Sequence, residues 1–286
     1  MLPPLYSAVA RARHLGRSHV TIHKESAQFF ALQDLRTIFR LLYENPVKCR
    51  QLLPGEPDYI GSSDACKYGA GGVWFGGLQK LHPIVWRVPW PQDIIDRVSA
   101  NELSINDLEM AGLVLQYLLL EQVVPMKHVH AAAWCDNSSA VSWTVKMSSS
   151  KSAVGQLLTR TLALRMISNK SSHLVALAIA GVDNCMADLA SRSFKSTGST
   201  GNFNLSNAAF LSKFNNEFPL SQDTSWIMLR LHDSVTSHIF TILRSKRPAM
   251  GSLLRVKAHA SDIFESGQPS AASTTAWNRF LSLIHI

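Results

Sequence analysis

The segment SINDLEMAGLVLQYLLLEQV, residues 104–123, constrains the fold of this chain most strongly. Its leucines recur every three or four residues, and Ser104 and Asp107 have the spacing of a capping box, which together predict a helix over about residues 106–123. Strand-like segments precede it at 59–66, 71–75 and 84–88, with a turn at 69–72. Three strands in succession indicate an antiparallel meander against which this helix packs.

The pattern after this helix alternates between strands and helices. Strands are predicted for HVHAAAWCDN and LVALAIA, and helices for residues 138–146, 153–169 and 184–193. The order β-β-β-α-β-α-α-β-α predicts an α/β protein with a mixed five-stranded sheet covered by helices.

Composition and charge narrow the class of protein. The chain has 46% hydrophobic and 17% charged residues, as globular proteins do, and its net charge of +8 favours a polyanionic partner such as nucleic acid. No apolar run approaches the roughly 18 residues that span a bilayer, so no membrane association is expected. The cysteines form no CxxC pair, which argues against a zinc site or a disulfide framework and favours an intracellular location: Cys49, Cys66, Cys135 and Cys185.

Two linker-like segments divide the chain into three parts. LLPGEPDY lies before Ile60 and SFKSTGSTGNFN follows Arg192, and both have the composition of linkers or long turns. They isolate a central unit of about 135 residues, a usual domain size. The flanks carry the basic excess, because residues 61–195 are nearly balanced in charge.

Four acidic residues lie at the ends of predicted elements and are flanked by apolar residues: Asp64, Glu109, Asp136 and Asp188. A partly buried carboxylate is costly unless something pairs with it. Singly, each has a structural explanation, as a helix cap, a complement to a helix dipole or a solvent-facing side chain. Together they indicate a divalent metal site, because carboxylates that converge repel one another unless cations neutralise them.

The segments SDACKYGAGGVW, NDLEMAGLV, WCDNSSAVSW and GVDNCMADLASR, in this order, carry a resemblance to a known family. They resemble the motifs of the ribonuclease H domain that follows reverse transcriptase in retroelement polyproteins, especially retrotransposons of the Ty3 and DIRS type. The resemblance implies a ribonuclease H-like fold over residues 58–195. It also implies that Asp64, Glu109, Asp136 and Asp188 are catalytic ligands of two Mg²⁺ ions, for which Mn²⁺ can substitute.

The same resemblance implies a function and a context. The domain would be a metal-dependent endonuclease that hydrolyses the RNA strand of RNA·DNA hybrids. Residues 1–57 would be the helical end of a reverse transcriptase thumb or connection region, and residues 196–286 a helical extension with a disordered tail. The polymerase domain would be a partner missing from this chain, since no adjacent Asp-Asp pair occurs in it.

The predicted site departs from the family in one respect. Members often carry a histidine just before the glycine of GxxN, and we assign that position to Ala178. His173 lies five residues earlier, and the odd offset within a strand directs it to the opposite face. The loss of this histidine is expected to slow the reaction, because the metal ions supply the larger electrostatic effect.

Four further residues are candidates for nucleic-acid contacts: Lys67, Asn137, Asn184 and Arg192. Each lies beside an acidic motif, and Arg192 follows Asp188 by about one helical turn and shares its face.

Two alternatives stay open. The chain can be a catalytically degenerate ribonuclease H-like module that binds nucleic acid, or it can keep this fold with integrase, transposase or exonuclease chemistry. The order of the motifs favours ribonuclease H, because an integrase is expected to end its acidic set in a helical Glu instead of Asp188.

Overall fold

The computed structural model describes most of the central part of the chain and pieces of both flanks: residues 3–17, 20–24, 26–44, 56–76, 82–149, 152–169, 172–194, 205–221 and 224–245. The chain divides into two compact units, one formed by residues 1–35 with 247–286 and the other by residues 36–246. The tail 246–286, for which we expected disorder, lies outside the described residues.

Two helices precede the sheet in sequence. Helix α1 spans Pro3–His14 and helix α2 spans Ala27–Glu44. The helical character expected for residues 1–57 is therefore present in the described part of that segment.

The larger unit contains a six-stranded mixed sheet of order β5-β4-β1-β2-β3-β6. Strands β1, β2 and β3 form the predicted antiparallel meander, whereas β4 pairs parallel with β1, and β5 with β4. The strands span Tyr59–Ala65 (β1), Gly69–Gly76 (β2), Ile84–Pro89 (β3), His130–Cys135 (β4), His173–Ala178 (β5) and Ile227–Leu229 (β6).

The prediction of five strands is wrong by one. Strand β6 pairs parallel with β3 and extends the sheet at that edge. Its three residues are too few to show the alternation of apolar and polar residues that marks a strand in sequence.

The helices of this unit lie on both faces of the sheet. They span Gln92–Ser99 (α3), Ile105–Val123 (α4), Ser138–Lys146 (α5), Ala153–Ser168 (α6), Cys185–Arg192 (α7), Asn207–Glu217 (α8) and Asp233–Leu243 (α9). The sequence analysis predicts α4, α5, α6 and α7 and omits α3. The capping box of α4 is present, because the Ser104 side chain accepts a bond from Asp107 N–H while the Asp107 carboxylate accepts one from Ser104 N–H. No helix in the described part of the chain combines the length and apolar character that a membrane crossing demands.

The predicted turn at residues 69–72 is also wrong, since these residues belong to β2 and the chain turns at Lys67 and Tyr68. Instead, the glycines allow helices to pack closely against strand β2. A Cβ on Gly71 would lie 2.5 Å from Ala190 Cβ on α7, and one on Gly72 would lie 2.6 Å from Gln116 Oε1 on α4. Because neighbouring strand residues point to opposite faces, α7 and α4 cover opposite faces of the sheet.

Helix α4 is buried along most of its length and carries a polar residue into the core. Gln116 is fully buried. Its Nε2 donates to Val73 O at 2.7 Å, its backbone carbonyl accepts from Trp74 Nε1 at 2.9 Å, and its Oε1 accepts from Trp86 Nε1. These bonds satisfy the buried amide and fix the register of α4 on strands β2 and β3.

The residues after 195 share a core with the sheet. Phe210, Phe214 and Trp226 form one buried cluster with Val73, Val85 and Ala190.

Arg87 of β3 reinforces this contact. Its guanidinium donates to Ser193 Oγ at 2.9 Å and to Asn207 Oδ1 at 3.0 Å, and it lies 4.9 Å from the ring centre of Phe194 and 4.5 Å from that of Phe210. A single buried cation therefore joins β3, the end of α7 and the start of α8.

Candidate active site

Two of the predicted acids lie side by side at the carboxyl ends of neighbouring strands, because those strands are parallel. Asp64 is the penultimate residue of β1, and Asp136 directly follows β4. The register pairs Ser62 with Trp134, so both acids lie two residues beyond a matched pair. The carboxyl ends of parallel neighbours lie at the same edge of a sheet, and this places the two carboxylates there together.

Glu109 enters the same region from the first turns of α4. Its Oε2 accepts a hydrogen bond of 3.2 Å from the backbone N–H of Ala65, the residue after Asp64. Ligand atoms of Glu109, Cys135 and Asp136 all lie within 4.8 Å of one another. The capping box that starts α4 thus sets the position of a buried carboxylate beside the ends of β1 and β4.

Asp188 approaches from α7, on the other face of the sheet. Its charge acts on Asp64, and the charge of Asp136 acts on Asp188. Its Oδ1 also forms an ion pair of 2.6 Å with Arg192 Nε, as the shared helical face predicts. The four acids that the sequence singles out therefore lie within electrostatic range in the fold, and Glu109 and Asp136 bring carboxylate oxygens within 4.8 Å of each other.

Burial controls the protonation of the two innermost acids. Burial first, and then the charges of Asp64 and Asp136, raise the pKa of Glu109 to about 9. Burial likewise raises the pKa of Asp64 to about 6, an effect that the Ser191 hydrogen bond opposes and the charges of Asp136 and Asp188 increase. Desolvation and mutual repulsion both disfavour the charged forms, and a bound cation relieves both.

Two residues of the site were missed by the sequence analysis. Ser191 donates a hydrogen bond through Oγ to Asp64 Oδ2. Cys135 is fully buried, with Sγ 3.9 Å from Glu109 Oε2. The only sequence signals are that Ser191 lies three residues after Asp188 on one helix, and that Cys135 directly precedes Asp136.

The predicted nucleic-acid contacts have different outcomes. Arg192 lies at the acidic site through its pair with Asp188. Lys67 is half-buried in the β1–β2 turn, with Nζ 5.8 Å from the ring centre of Tyr68. Both stay candidates for phosphate contacts.

The two asparagines have structural partners. Asn137 caps α5 by accepting from Ala140 N–H at 3.0 Å, and its Nδ2 donates to Asn106 Oδ1 at 2.8 Å. Asn184 donates to Ser63 O at 3.2 Å beside Asp64, and its buried Oδ1 has no hydrogen-bond partner among the described residues. The side chain of Asn137 therefore caps α5. The Oδ1 atom of Asn184 is a buried acceptor without a partner among the described residues.

The position of the expected histidine needs a correction. Ala178 is the last residue of β5, whereas the residue directly before Gly181 is Ala180, which precedes the 3₁₀ turn Gly181–Asp183. A Cβ on Gly181 would lie 3.1 Å from Asp136 Oδ2, so this turn borders the site. His173 is the first residue of β5, so it lies at the end of the strands opposite to the acids, where its ring stacks on that of His130.

The residues present suit a divalent cation. The carboxylates of Asp64, Glu109, Asp136 and Asp188 are hard oxygen donors of the kind that Mg²⁺ and Mn²⁺ prefer. Arg192 forms an ion pair with Asp188, and its charge also lowers the pKa of Asp64. The cysteines of the described residues are free thiols: Cys66, Cys135 and Cys185.

No protein-family model matches the chain, and no curated protein matches it significantly. Among solved structures, it is similar to LC11-RNase H1 in complex with an RNA/DNA hybrid, at 16% identity and a TM-score of 0.31 over 46% of this chain and 92% of that one. It is also similar to the N-terminal RNase H domain of rv2228c from Mycobacterium tuberculosis, solved as a fusion protein with maltose binding protein. That likeness has 11% identity and a TM-score of 0.29 over 46% of this chain and 88% of that one.

Proposed function

We propose that this chain contains a divalent-metal-dependent endonuclease of the ribonuclease H type, which hydrolyses the RNA strand of RNA·DNA hybrids. One observation carries the proposal. Asp64, Glu109, Asp136 and Asp188 come from different parts of the fold and lie near enough for their charges to act on one another, although two of them are buried. Such an arrangement costs stability unless cations occupy it.

The four carboxylates would hold two Mg²⁺ ions. Bound there, the ions would supply the Lewis acidity that in-line displacement at a phosphodiester requires. The protein's own contribution is to hold the carboxylates in place. Ala65 N–H fixes Glu109, and Ser191 Oγ fixes Asp64. Ligands fixed before substrate arrives need no reorganisation during the reaction.

Residues at the rim of the site would bind the nucleic acid. Arg192 and Lys67 can contact phosphates. The preference for the hybrid is proposed from the sequence motifs, and contacts to 2′-hydroxyls would supply it, because they distinguish an RNA strand from DNA.

The four sequence motifs support a wider context for this activity. In that context residues 58–195 carry the nuclease motifs, residues 1–57 are the end of a reverse transcriptase connection region, and residues 196–286 are an extension. The shared core of Phe210, Phe214 and Trp226 with the sheet supports including residues to 245 in the folded nuclease unit. A retroelement polymerase domain would be the partner.

Two observations favour a second candidate, a module that binds hybrids without cleaving them. The 2.6 Å ion pair with Arg192 occupies an oxygen of Asp188 that would otherwise face a cation. Ala180, directly before Gly181, occupies the position at which the family that the motifs resemble often has a histidine.

The test is cleavage of a labelled RNA strand within an RNA·DNA hybrid, in Mg²⁺ and in chelator. The unmodified chain should cleave only with Mg²⁺, and Asp64→Asn and Asp136→Asn should abolish cleavage while hybrid binding survives. Asp96→Asn, which makes the same chemical change on the exposed side of α3, is the matched control and should cleave normally. Binding without any cleavage would establish the second candidate, and loss of binding in Asp136→Asn would contradict a catalytic role.

A further inference from the structure

Cys135 adds a thiol to the acidic site. It is fully buried at the end of β4, and its Sγ lies 3.9 Å from Glu109 Oε2. Sγ, a Glu109 carboxylate oxygen and an Asp136 carboxylate oxygen all lie within 4.8 Å of one another. Among the described residues, this mixed set is the one group of three potential ligands brought so close together.

A second observation concerns Ser63, whose side chain is 1% exposed and whose Oγ has no hydrogen-bond partner in the described part of the structure. The register pairs Ser62 with Trp134, so Ser63 lies beside Cys135 one residue further along the parallel strands. Paired residues of adjacent strands point to the same face, so the Ser63 hydroxyl lies on the α4 face with Sγ and Glu109. A buried polar group without a partner is unusual and calls for a ligand or water.

The spacing of the donors suits a single ion. A tetrahedral ion with a sulfur ligand at about 2.3 Å and an oxygen ligand at about 2.1 Å holds those two atoms about 3.6 Å apart. The observed separation of 3.9 Å is within a few tenths of an ångström of this value. Burial and the charge of Glu109 raise the pKa of the Cys135 thiol, and the Asn137 N–H that donates to Sγ at 3.4 Å opposes this, so the thiolate forms only with a cation beside it. Asp136 is exposed, so an ion can enter from solvent.

We propose that Cys135, Glu109 and Asp136 bind a thiophilic divalent cation, such as Zn²⁺ or Cd²⁺, with the Cys135 sulfur as a direct ligand. Thiolate ligands select such ions over Mg²⁺, which prefers oxygen. At neutral pH, binding releases to water both the thiol proton of Cys135 and the carboxyl proton of Glu109, because both groups bind the cation in their deprotonated forms.

The site shares Glu109 and Asp136 with the proposed nuclease centre, and this gives the inference a regulatory consequence. A thiophilic ion on these residues excludes the productive Mg²⁺ arrangement and inhibits cleavage. That consequence rests on the proposed function, whereas ion binding itself does not.

The test is a Cd²⁺ titration of the full chain in excess Mg²⁺, followed by the ultraviolet sulfur-to-cadmium charge-transfer band. The unmodified chain should develop the band at one equivalent. Cys135→Ser should lose it, and Glu109→Gln should weaken Cd²⁺ binding by at least about tenfold. Cys185→Ser, which removes an exposed thiol outside this group, is the matched control and should keep the band.

The outcomes separate this inference from the proposed nuclease. Absence of the band in the unmodified chain, or its persistence in folded Cys135→Ser, would overturn the thiol site. A band that depends on Cys135 and Glu109 supports the site even where the chain cleaves no RNA. Circular dichroism of each variant checks folding, and Glu109→Gln supplies the answer if Cys135→Ser unfolds.

Discussion

Ser191 on α7 donates a hydrogen bond through Oγ to Asp64 Oδ2 on β1, across 127 residues of sequence. The bond links the helix that carries Asp188 to the strand that carries Asp64. Gly71 makes this approach possible, because a Cβ there would lie 2.8 Å from the backbone nitrogen of Ser191. The relative position of two proposed ligands thus depends on a serine and a glycine that have no role in chemistry.

Ser191→Ala should raise the pKa of Asp64. The hydrogen bond lowers that pKa against the effect of burial, and a bond to a charged group contributes enough to shift it by about one unit. Carboxyl-carbon NMR titration measures the change, and Mg²⁺ affinity near pH 6 should fall with it. Ser99→Ala, on the exposed side of α3, should leave the titration of Asp64 unchanged. An unaltered pKa in Ser191→Ala would contradict the role of the bond.

The stability of the metal-free protein should fall as pH rises. The folded-state pKa values of Asp64, about 6, and Glu109, about 9, lie above their ordinary values of 3.8 and 4.5, so the folded state holds more protons than the unfolded state. Their contribution is therefore fully present below about pH 4 and is lost as pH rises through 6 and on toward 9, by up to about 1.4 kcal/mol per pH unit for each group.

Urea unfolding at a series of pH values measures this loss. The double variant Asp64→Asn, Glu109→Gln should show a flatter profile than the unmodified chain, because the titrating groups are gone. Mg²⁺ should restore stability at high pH in the unmodified chain only, since a ligand that binds the folded state stabilises it. Identical profiles for the two proteins would rule out these carboxyls as the cause.

Ala180→His should increase the rate of RNA cleavage. Ala180 is exposed next to Gly181, which approaches Asp136, and a histidine there can transfer protons at the site. General acid–base assistance is worth at least about a hundredfold when well placed, so a gain of about tenfold is expected from an unoptimised side chain. Single-turnover cleavage is the measurement. Ala178→His, at the end of β5, is the control, and equal gains at both positions would argue against a specific role.

Trp226→Ala should destabilise the nuclease unit by about 3 to 5 kcal/mol. Trp226 lies in the shared core, packs edge-on against Phe75 and Phe214, and donates through Nε1 to Phe218 O at 2.7 Å. Val145→Ala, at a side chain that is 67% exposed, should change stability by no more than about 0.5 kcal/mol. Thermal unfolding compares them. If both variants melt alike, the extension after residue 195 is not part of the folded unit.

The elements with strong local signals were predictable from sequence. Helix α4 has a capping box and a leucine period, and the structure contains both its cap and its span. Strand β6 has no comparable signal, whereas helix α3 is only eight residues long and has Asp93 in its first turn and Arg97 in its last; neither element was predicted. The glycines at 71 and 72 predict a turn but lie in a strand, because sequence alone does not distinguish a glycine that permits a turn from one that permits close packing.

Some residues of the candidate site could likewise be predicted from sequence, and others could not. Asp64 and Asp136 are predictable because each ends a strand, and parallel strands end at one edge of the sheet. Ser191, Cys135 and Arg87 act through partners far away in sequence, and the proximity of Ser191 and Cys135 to acids in sequence does not reveal those partners.

By itself, the sequence determined which segments form most of the strands and helices and which four acids stand at their ends, because hydrophobic period, caps and charge placement are local properties. Only the tertiary structure decided that β6 joins the sheet, that Ser191 holds Asp64, and that a thiol lies among the carboxylates. Those relationships depend on strand order, on register and on the close approach of α7 to β2. Strand order, register and this approach are set by contacts between residues distant in sequence, and local sequence patterns do not determine them.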